Sequence, residues 1–172
     1  SVGTRPFGVY IHVPWCSSRC GYCDFNTYVP GAIEAASPAS FVDDAIAEIR
    51  IARALMGEQN AKVSTVFFGG GTPTLLTASS LAAVLAAIDD QFGLAVDAEV
   101  TTEANPESVN PNYFDELLGA GFTRISLGMQ SSAASVLATL DREHTAGRAP
   151  QAAREAFAAG FSEVSLDLIY GT

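Results

Sequence analysis

The feature that most constrains this chain is its alternation. Short apolar runs with strand character are separated by stretches of helical periodicity, and the pattern repeats along the whole length. Phe7 to Val13, rich in β-branched and aromatic residues, reads as the first strand. Val63 to Phe68, Ala98 to Glu103, Arg124 to Leu127 and Val164 to Ile169 read as strands two to five. Ser37 caps a helix that has Pro38 at its first position. Phe41, Ala45, Ile49, Ala52 and Met56 share one of its faces, and Gly57 ends it. Thr77 caps a second helix, with Leu81, Val84, Leu85 and Ile88 on one side. Asn110-Pro111 opens a third, buried through Phe114, Leu117 and Leu118, and Pro150 to Ala159 forms a fourth. Strands joined by helical crossovers pair in parallel, with right-handed connections. The spacing predicts an α/β chain with either a barrel-like or a doubly wound sheet. In both, ligands gather at the carboxyl ends of the strands.

Two segments echo each other. Ala120-Gly121-Phe122-Thr123-Arg124-Ile125-Ser126-Leu127 resembles Ala159-Gly160-Phe161-Ser162-Glu163-Val164-Ser165-Leu166. Each glycine is placed to end a helix in the left-handed conformation, with the following phenylalanine packing back on the last turn. This is the repeated grammar of one unit, not a solenoid repeat.

Composition narrows the function classes. The 172 residues are 48% hydrophobic and 16% charged, enough apolar surface for a core and too much for a disordered tail. The net charge of −10 repels phosphate backbones and anionic membrane surfaces, so a nucleic-acid partner is not expected. No apolar run reaches the roughly 18 residues of a membrane span. Ser1 to Arg5 carries no signal-peptide pattern, so a cytoplasmic location is the expectation. The last strand looks fully buried, and the chain ends just after it. A full parallel barrel takes about 250 residues. The expectation is therefore one domain over 1–172 that is an N-terminal fragment, with the rest of the barrel and a C-terminal domain absent.

The polar, glycine-rich and cysteine-bearing segments all fall after strands. Cys16, Cys20 and Cys23 follow strand one with Cys-x3-Cys-x2-Cys spacing, Tyr22 just before the last. An odd, tightly spaced set is a poor disulfide framework. Three thiolates within eight residues can face one centre, and soft sulfur selects zinc, copper(I) or an iron–sulfur cluster. A structural zinc site needs a fourth ligand, and no downstream Cys/His pair exists, since His12 and His144 are isolated. A four-iron cubane on three thiolates has one iron without a protein ligand, open to a chelating small molecule.

With these motifs the chain resembles the radical S-adenosylmethionine (SAM) enzymes. Around and beyond the cysteines stand Tyr10-Ile11-His12-Val13-Pro14-Trp15-Cys16, Cys23-Asp24-Phe25, Gly69-Gly70-Gly71-Thr72-Pro73-Thr74, Glu103-Ala104-Asn105-Pro106, Gln130-Ser131, Arg142-Glu143-His144 and Asp167-Leu168-Ile169-Tyr170-Gly171. On these residues the chain is, more narrowly, similar to the oxygen-independent coproporphyrinogen III oxidase family. The likeness implies a partial parallel (β/α) barrel with about five strands present, truncated after strand five. It implies that Cys16, Cys20 and Cys23 hold a [4Fe-4S] cluster. It assigns Tyr10, Tyr22, Gly70, Gly71, Thr72, Glu103, Gln130, Arg142 and Asp167 to SAM contacts. By the same resemblance SAM chelates the open iron, a donor protein supplies one electron, and a 5′-deoxyadenosyl radical results.

Several of these residues also have a plainer reading. The glycines suit any tight turn, and no Gly-Lys-Ser/Thr follows to make them a nucleotide loop. Glu103 is equally a solvated strand end, Tyr10 and Tyr22 core aromatics, Arg142 an ion pair with Glu143, and His12 a satisfied structural histidine. The oxidase branch carries a further cysteine one residue beyond the third ligand. Here that region reads Cys23-Asp24-Phe25-Asn26, as in the heme-chaperone (HemW-like) branch, which binds heme and delivers it to respiratory proteins. Trp15 stands where phenylalanine is common. The resemblance leaves two functions, a heme chaperone or a coproporphyrinogen III oxidase. A plain zinc or iron–sulfur structural module is the third reading.

Overall fold

A computed structural model of the chain describes residues 6–32, 37–57, 62–142 and 145–171. Ser1 to Arg5, Glu143 and His144 lie outside the described residues. The elements run β1 (Phe7–Val13), α1 (Pro38–Met56), β2 (Val63–Gly70), α2 (Ala78–Phe92), β3 (Leu94–Ala104), α3 (Pro111–Gly119), β4 (Arg124–Gln130), α4 (Ala134–Thr139), α5 (Arg148–Ala159) and β5 (Glu163–Leu168). Single 3-10 turns at Pro73–Leu75 and Pro106–Ser108 follow β2 and β3.

The helix starts are set by side chains that take up orphan N–H groups. The Ser37 hydroxyl accepts from the Ser40 N–H, and the Ser40 hydroxyl accepts from the Ser37 N–H, a reciprocal capping box. Thr77 accepts from the Ser80 N–H and Asn110 from the Tyr113 N–H. At the other end, Gly121 (φ 99°) and Gly160 (φ 122°) stop α3 and α5 in a backbone that side chains resist. The next N–H, of Phe122 or Phe161, then donates back to Leu117 or Ala156 at 3.1 Å. Both phenylalanines are buried, Phe122 against Phe68 and Phe161 against Phe114.

All five strands pair in parallel in the consecutive order β1-β2-β3-β4-β5. A doubly wound sheet reverses direction and places helices on both faces. A consecutive order with right-handed crossovers keeps the helices on one side, which is the barrel-type solution. Period two then sorts the strands. Ile11, Phe68, Val100, Ile125 and Leu127 join one core with Leu81, Val84 and Ile88 of α2 and Phe114 and Leu117 of α3. The intervening residues form the other face. There Tyr10 pairs with Phe67, Phe67 with Thr101, and Thr101 with Arg124, while Glu103 pairs with Ser126 and Ser126 with Ser165.

Two expectations are corrected. β5 is not fully buried: it is the edge of the sheet, α5 lies beside it, and Leu166 and Leu168 are 36% and 66% exposed. The β4 to β5 crossover holds two helices, the short α4 preceding α5, which starts two residues before Pro150. β2 and β4 also run on to Gly70 and Gln130, carrying their ladders to the residues that matter below.

Phe122→Ala is expected to cost about 3 to 5 kcal/mol, because it empties a fully buried ring site. Phe157→Ala, on the exposed side of α5, should stay within about 0.5 kcal/mol of the parent. Urea unfolding followed by circular dichroism measures both.

Candidate functional site

The loop after β1 is held at its root by backbone. The Gly71 N–H donates to the Val13 carbonyl and the Thr72 N–H to the Trp15 carbonyl, each at 2.7 Å. These bonds extend the β1–β2 ladder past the strand ends. A Cβ on Gly71 would sit 2.5 Å from the Trp15 oxygen and 2.9 Å from the Val13 oxygen, so the approach requires glycine. The loop also folds back on itself: Cys16 N–H donates to Tyr28 O at 3.0 Å and Tyr28 N–H to Pro14 O at 2.7 Å. Trp15 is buried beneath it. Cys23 N–H donates to Cys20 O at 3.1 Å, a tight turn that brings the second and third cysteines together. Gly21 N–H reaches Leu140 O, just after α4, at 3.0 Å.

His12 ties the far end of this loop to β1. Its Nε2 lies 2.9 Å from the Asn26 carbonyl, which only accepts, so Nε2 carries the proton. Nδ1 then accepts from the Tyr10 hydroxyl at 3.0 Å. Both ring nitrogens are engaged, as a structural histidine requires.

Cys16, Cys20 and Cys23 line one cavity of about 270 Å³ at the carboxyl ends of the strands. Tyr22 lines it with them, as do Gly70, Gly71 and Thr72 from the end of β2 and Glu103 from β3. Gln130, Arg142 and Asp167 complete the residues expected there. Tyr10 stands apart: it is 55% exposed, on the inner face of β1, and stacks on Phe67 with centroids 6.2 Å apart. Arg142 has no describable pairing with Glu143, which lies outside the described residues. Residues that motif reading did not assign also line the cavity, among them Thr27, Asn105, Ser126 and Gly128. The signal for Ser126 and Gly128 was period two, since they share the inward parity of Gln130 on β4.

The electrostatics follow from partial burial. Burial pushes the Cys16 thiol pKa up, hydrogen bonds from Thr72 and Thr27 oppose it, and Cys23 and Cys20 add to the rise. The Thr72 hydroxyl lies 3.8 Å from the Cys16 sulfur. Burial also raises the Glu103 carboxyl, against the N–H of Gly70 that it accepts at 3.0 Å; nearby Asp167 raises it further, while His12 lowers it. Asp167 is fixed by the Ser126 hydroxyl at 2.9 Å. The Tyr22 phenol is pushed up to about 12, chiefly by burial, with Arg142 opposing and Cys20 adding. Arg142 Nη1 donates to the Cys20 sulfur at 3.5 Å and Nη2 to the Gly128 carbonyl at 2.9 Å. Among the described residues its buried Nε has no hydrogen-bond partner.

Among the described residues, no three His, Cys, Asp or Glu side chains converge on a point where one metal ion would touch them all. The three thiols, the open cavity and the unpartnered guanidinium donor together fit a cluster that keeps a position for an anionic chelator.

Gly71→Ala is expected to destabilise the fold by about 1 to 3 kcal/mol, because its Cβ meets backbone and not a yielding side chain. Gly119→Ala has open space at its Cβ and should be neutral, or gain up to about 1 kcal/mol. The two shifts in thermal midpoint, opposite in sign or nearly so, test the lock between β2 and the cysteine loop.

Comparison with known proteins agrees with this geometry. The family model of the radical SAM superfamily matches residues 10–172. The heme chaperone HemW of Mycobacterium tuberculosis is 55% identical over 168 residues, 98% of this chain and 43% of the relative. HemW of Escherichia coli is 37% identical over 168 residues, 96% of this chain and again 43% of the relative. The chain thus spans less than half the length of these curated relatives. Among solved structures, the coproporphyrinogen III oxidase HemN of Escherichia coli superposes with a TM-score of 0.85 at 29% identity, over 97% of this chain and 38% of that one. The chain belongs to the radical SAM superfamily and, within it, to the HemN-like family on the branch of the HemW sequences.

Proposed function

We propose that residues 1–172 are a radical SAM core in which Cys16, Cys20 and Cys23 hold a [4Fe-4S] cluster. SAM occupies the adjoining cavity, and the whole protein serves as a heme chaperone for respiratory proteins. The observation that carries the reading is the cavity itself, where three thiols share walls with the carboxylates of Glu103, Glu107 and Asp167 and the guanidinium groups of Arg19 and Arg142. When bound, cluster and SAM supply one-electron chemistry at the SAM carbon–sulfur bond.

The chain's own groups bind and orient. The three thiols ligate iron as thiolates and leave a position for an amino acid. Arg142 offers its spare donor to the ligand carboxylate, where a planar fork is worth more than a point charge. Glu103, held by the Gly70 N–H, accepts from the ligand ammonium. The backbone of Gly70 and Gly71 can come close because nothing projects from it. Thr72, Gln130 and Tyr22 add polar contacts from three different elements, and Ser126 holds Asp167 in place. Tyr10, outside the cavity lining, is assigned with them by family resemblance.

The heme role is supported by 55% identity to a HemW sequence over nearly all of this chain and by Cys23-Asp24-Phe25-Asn26, which lacks the further cysteine of the oxidase branch. The second reading, oxidative decarboxylation of coproporphyrinogen III, is favoured by the likeness to HemN. The electron donor is a separate protein in either case. Among the described residues no helix is long and apolar enough to cross a membrane.

Anaerobic reconstitution of the full-length protein separates these readings. Iron and sulfide should enter in equal amounts, SAM should change the electron paramagnetic resonance (EPR) signal of the reduced cluster, and Cys16→Ser, Cys20→Ser or Cys23→Ser should each lose most of the iron. Heme should bind and pass to an apo-respiratory acceptor. Protoporphyrinogen formed from coproporphyrinogen III would replace the chaperone reading with the oxidase one, and stoichiometric zinc without sulfide would remove both.

A further inference from the structure

We infer that Arg142 is a positioning residue for the Cys20 sulfur and thereby raises the reduction potential of the cluster, an inference that rests on the cluster assignment above. Cys20 and Arg142 are 122 residues apart in sequence, yet Nη1 lies 3.5 Å from Sγ. The contact is built from several sides. The Arg142 backbone N–H donates to Leu137 O at 2.9 Å, which pins it to the end of α4. Gly21, next to Cys20, donates to Leu140 O in the same turn at 3.0 Å. The turn after α4 therefore grips the cysteine loop twice, once by backbone and once by the guanidinium.

The guanidinium is steered to the sulfur by an absence on β4. Nη2 donates to the Gly128 carbonyl at 2.9 Å, and a Cβ on Gly128 would stand only 2.9 Å from that nitrogen and 3.2 Å from Gln130 Nε2. Gly128 leaves room for Arg142 to cross the strand. A guanidinium has five donors in a fixed fork. Here one end holds a thiol and the other a carbonyl, and among the described residues no acceptor meets buried Nε. The grip on Cys20 thus need not be released when an anion binds Arg142.

The consequence is electrostatic. Reduction adds one negative charge to a cluster and its thiolates. A cationic donor on a ligand sulfur stabilises that charge more than the oxidised state, so it raises the potential; removing the donor lowers it.

The test is an EPR-monitored redox titration of the reconstituted full-length protein without SAM, which keeps any loss of SAM binding out of the result. Iron and sulfide are counted first in every sample. Arg142→Met is expected to keep its cluster and titrate at lower potential. Arg142→Lys, which keeps the charge and loses the fork, should fall between. Gly128→Ala, which crowds the guanidinium without removing it, should shift in the same direction and carries the measurement if Arg142→Met takes up no cluster. Loaded variants that titrate with the wild type overturn the inference alone. A wild-type protein that takes up no iron or sulfide overturns the cluster assignment, and the inference with it.

Discussion

The site depends on two backbone hydrogen bonds that continue the β1–β2 ladder beyond its strands. Gly71 and Thr72 donate to Val13 and Trp15, so the start of the cysteine loop is paired like a strand although it no longer runs as one. A loop of this length costs conformational entropy to order, of the order of 1 kcal/mol or more per residue. Pairing its root to the end of β2 fixes where Cys16 begins. Burial of Trp15 and the return contact of Tyr28 then fix the direction in which the rest proceeds. The remaining cysteines are set by one short turn and by two contacts from the far side of the fold.

The consecutive strand order explains why such a loop meets so many partners. With the helices on one face, the other face carries polar side chains in rows, and buried polar groups are tolerable only when bonded. Thr101 donates to Glu99 at 3.1 Å, Ser165 to Ser126 at 2.9 Å, and Ser126 to Asp167 at 2.9 Å. Arg124 joins the two groups, with Nη1 3.7 Å from Glu99 and Nη2 donating to Ser165 at 3.3 Å, so the network crosses from β3 to β5 and ends at the cavity. The apolar face supplies stability, with Phe68, Ile125 and Leu127 wholly inside, and the polar face supplies orientation.

Much of this was legible from the chain itself because the signals are local. Ser37, Thr77 and Asn110 announce helix starts through bonds that span three residues. The Gly-Phe echo marks two helix ends for the same reason. What escaped lacks local chemistry. α4 is six residues long and its N-cap is Ala133, whose methyl group cannot accept a capping hydrogen bond. β5 reads as buried because most of Val164 to Ile169 is apolar, but its exposure depends on which neighbours cover it. Ser126 and Gly128 could be placed in the cavity only once parity and register were known. Cys20 and Arg142 could be suspected separately, but their contact is a property of the fold.

Charge makes the last connection. The chain as a whole is strongly acidic, yet the cavity holds both signs. Burial and the neighbouring Asp167 disfavour the ionised form of Glu103, and the Gly70 N–H only partly restores it. A ligand that brings a cation towards Glu103 and an anion towards Arg142 relieves the first and uses the free donor of the second. A zwitterionic amino-acid end does both at once, whereas a simple anion would be repelled by the carboxylates and a simple cation by Arg142. On the proposed reading, the walls of the cavity favour a ligand with separated charges before any iron–ligand bond is considered, its cationic end towards Glu103 and its anionic end towards Arg142.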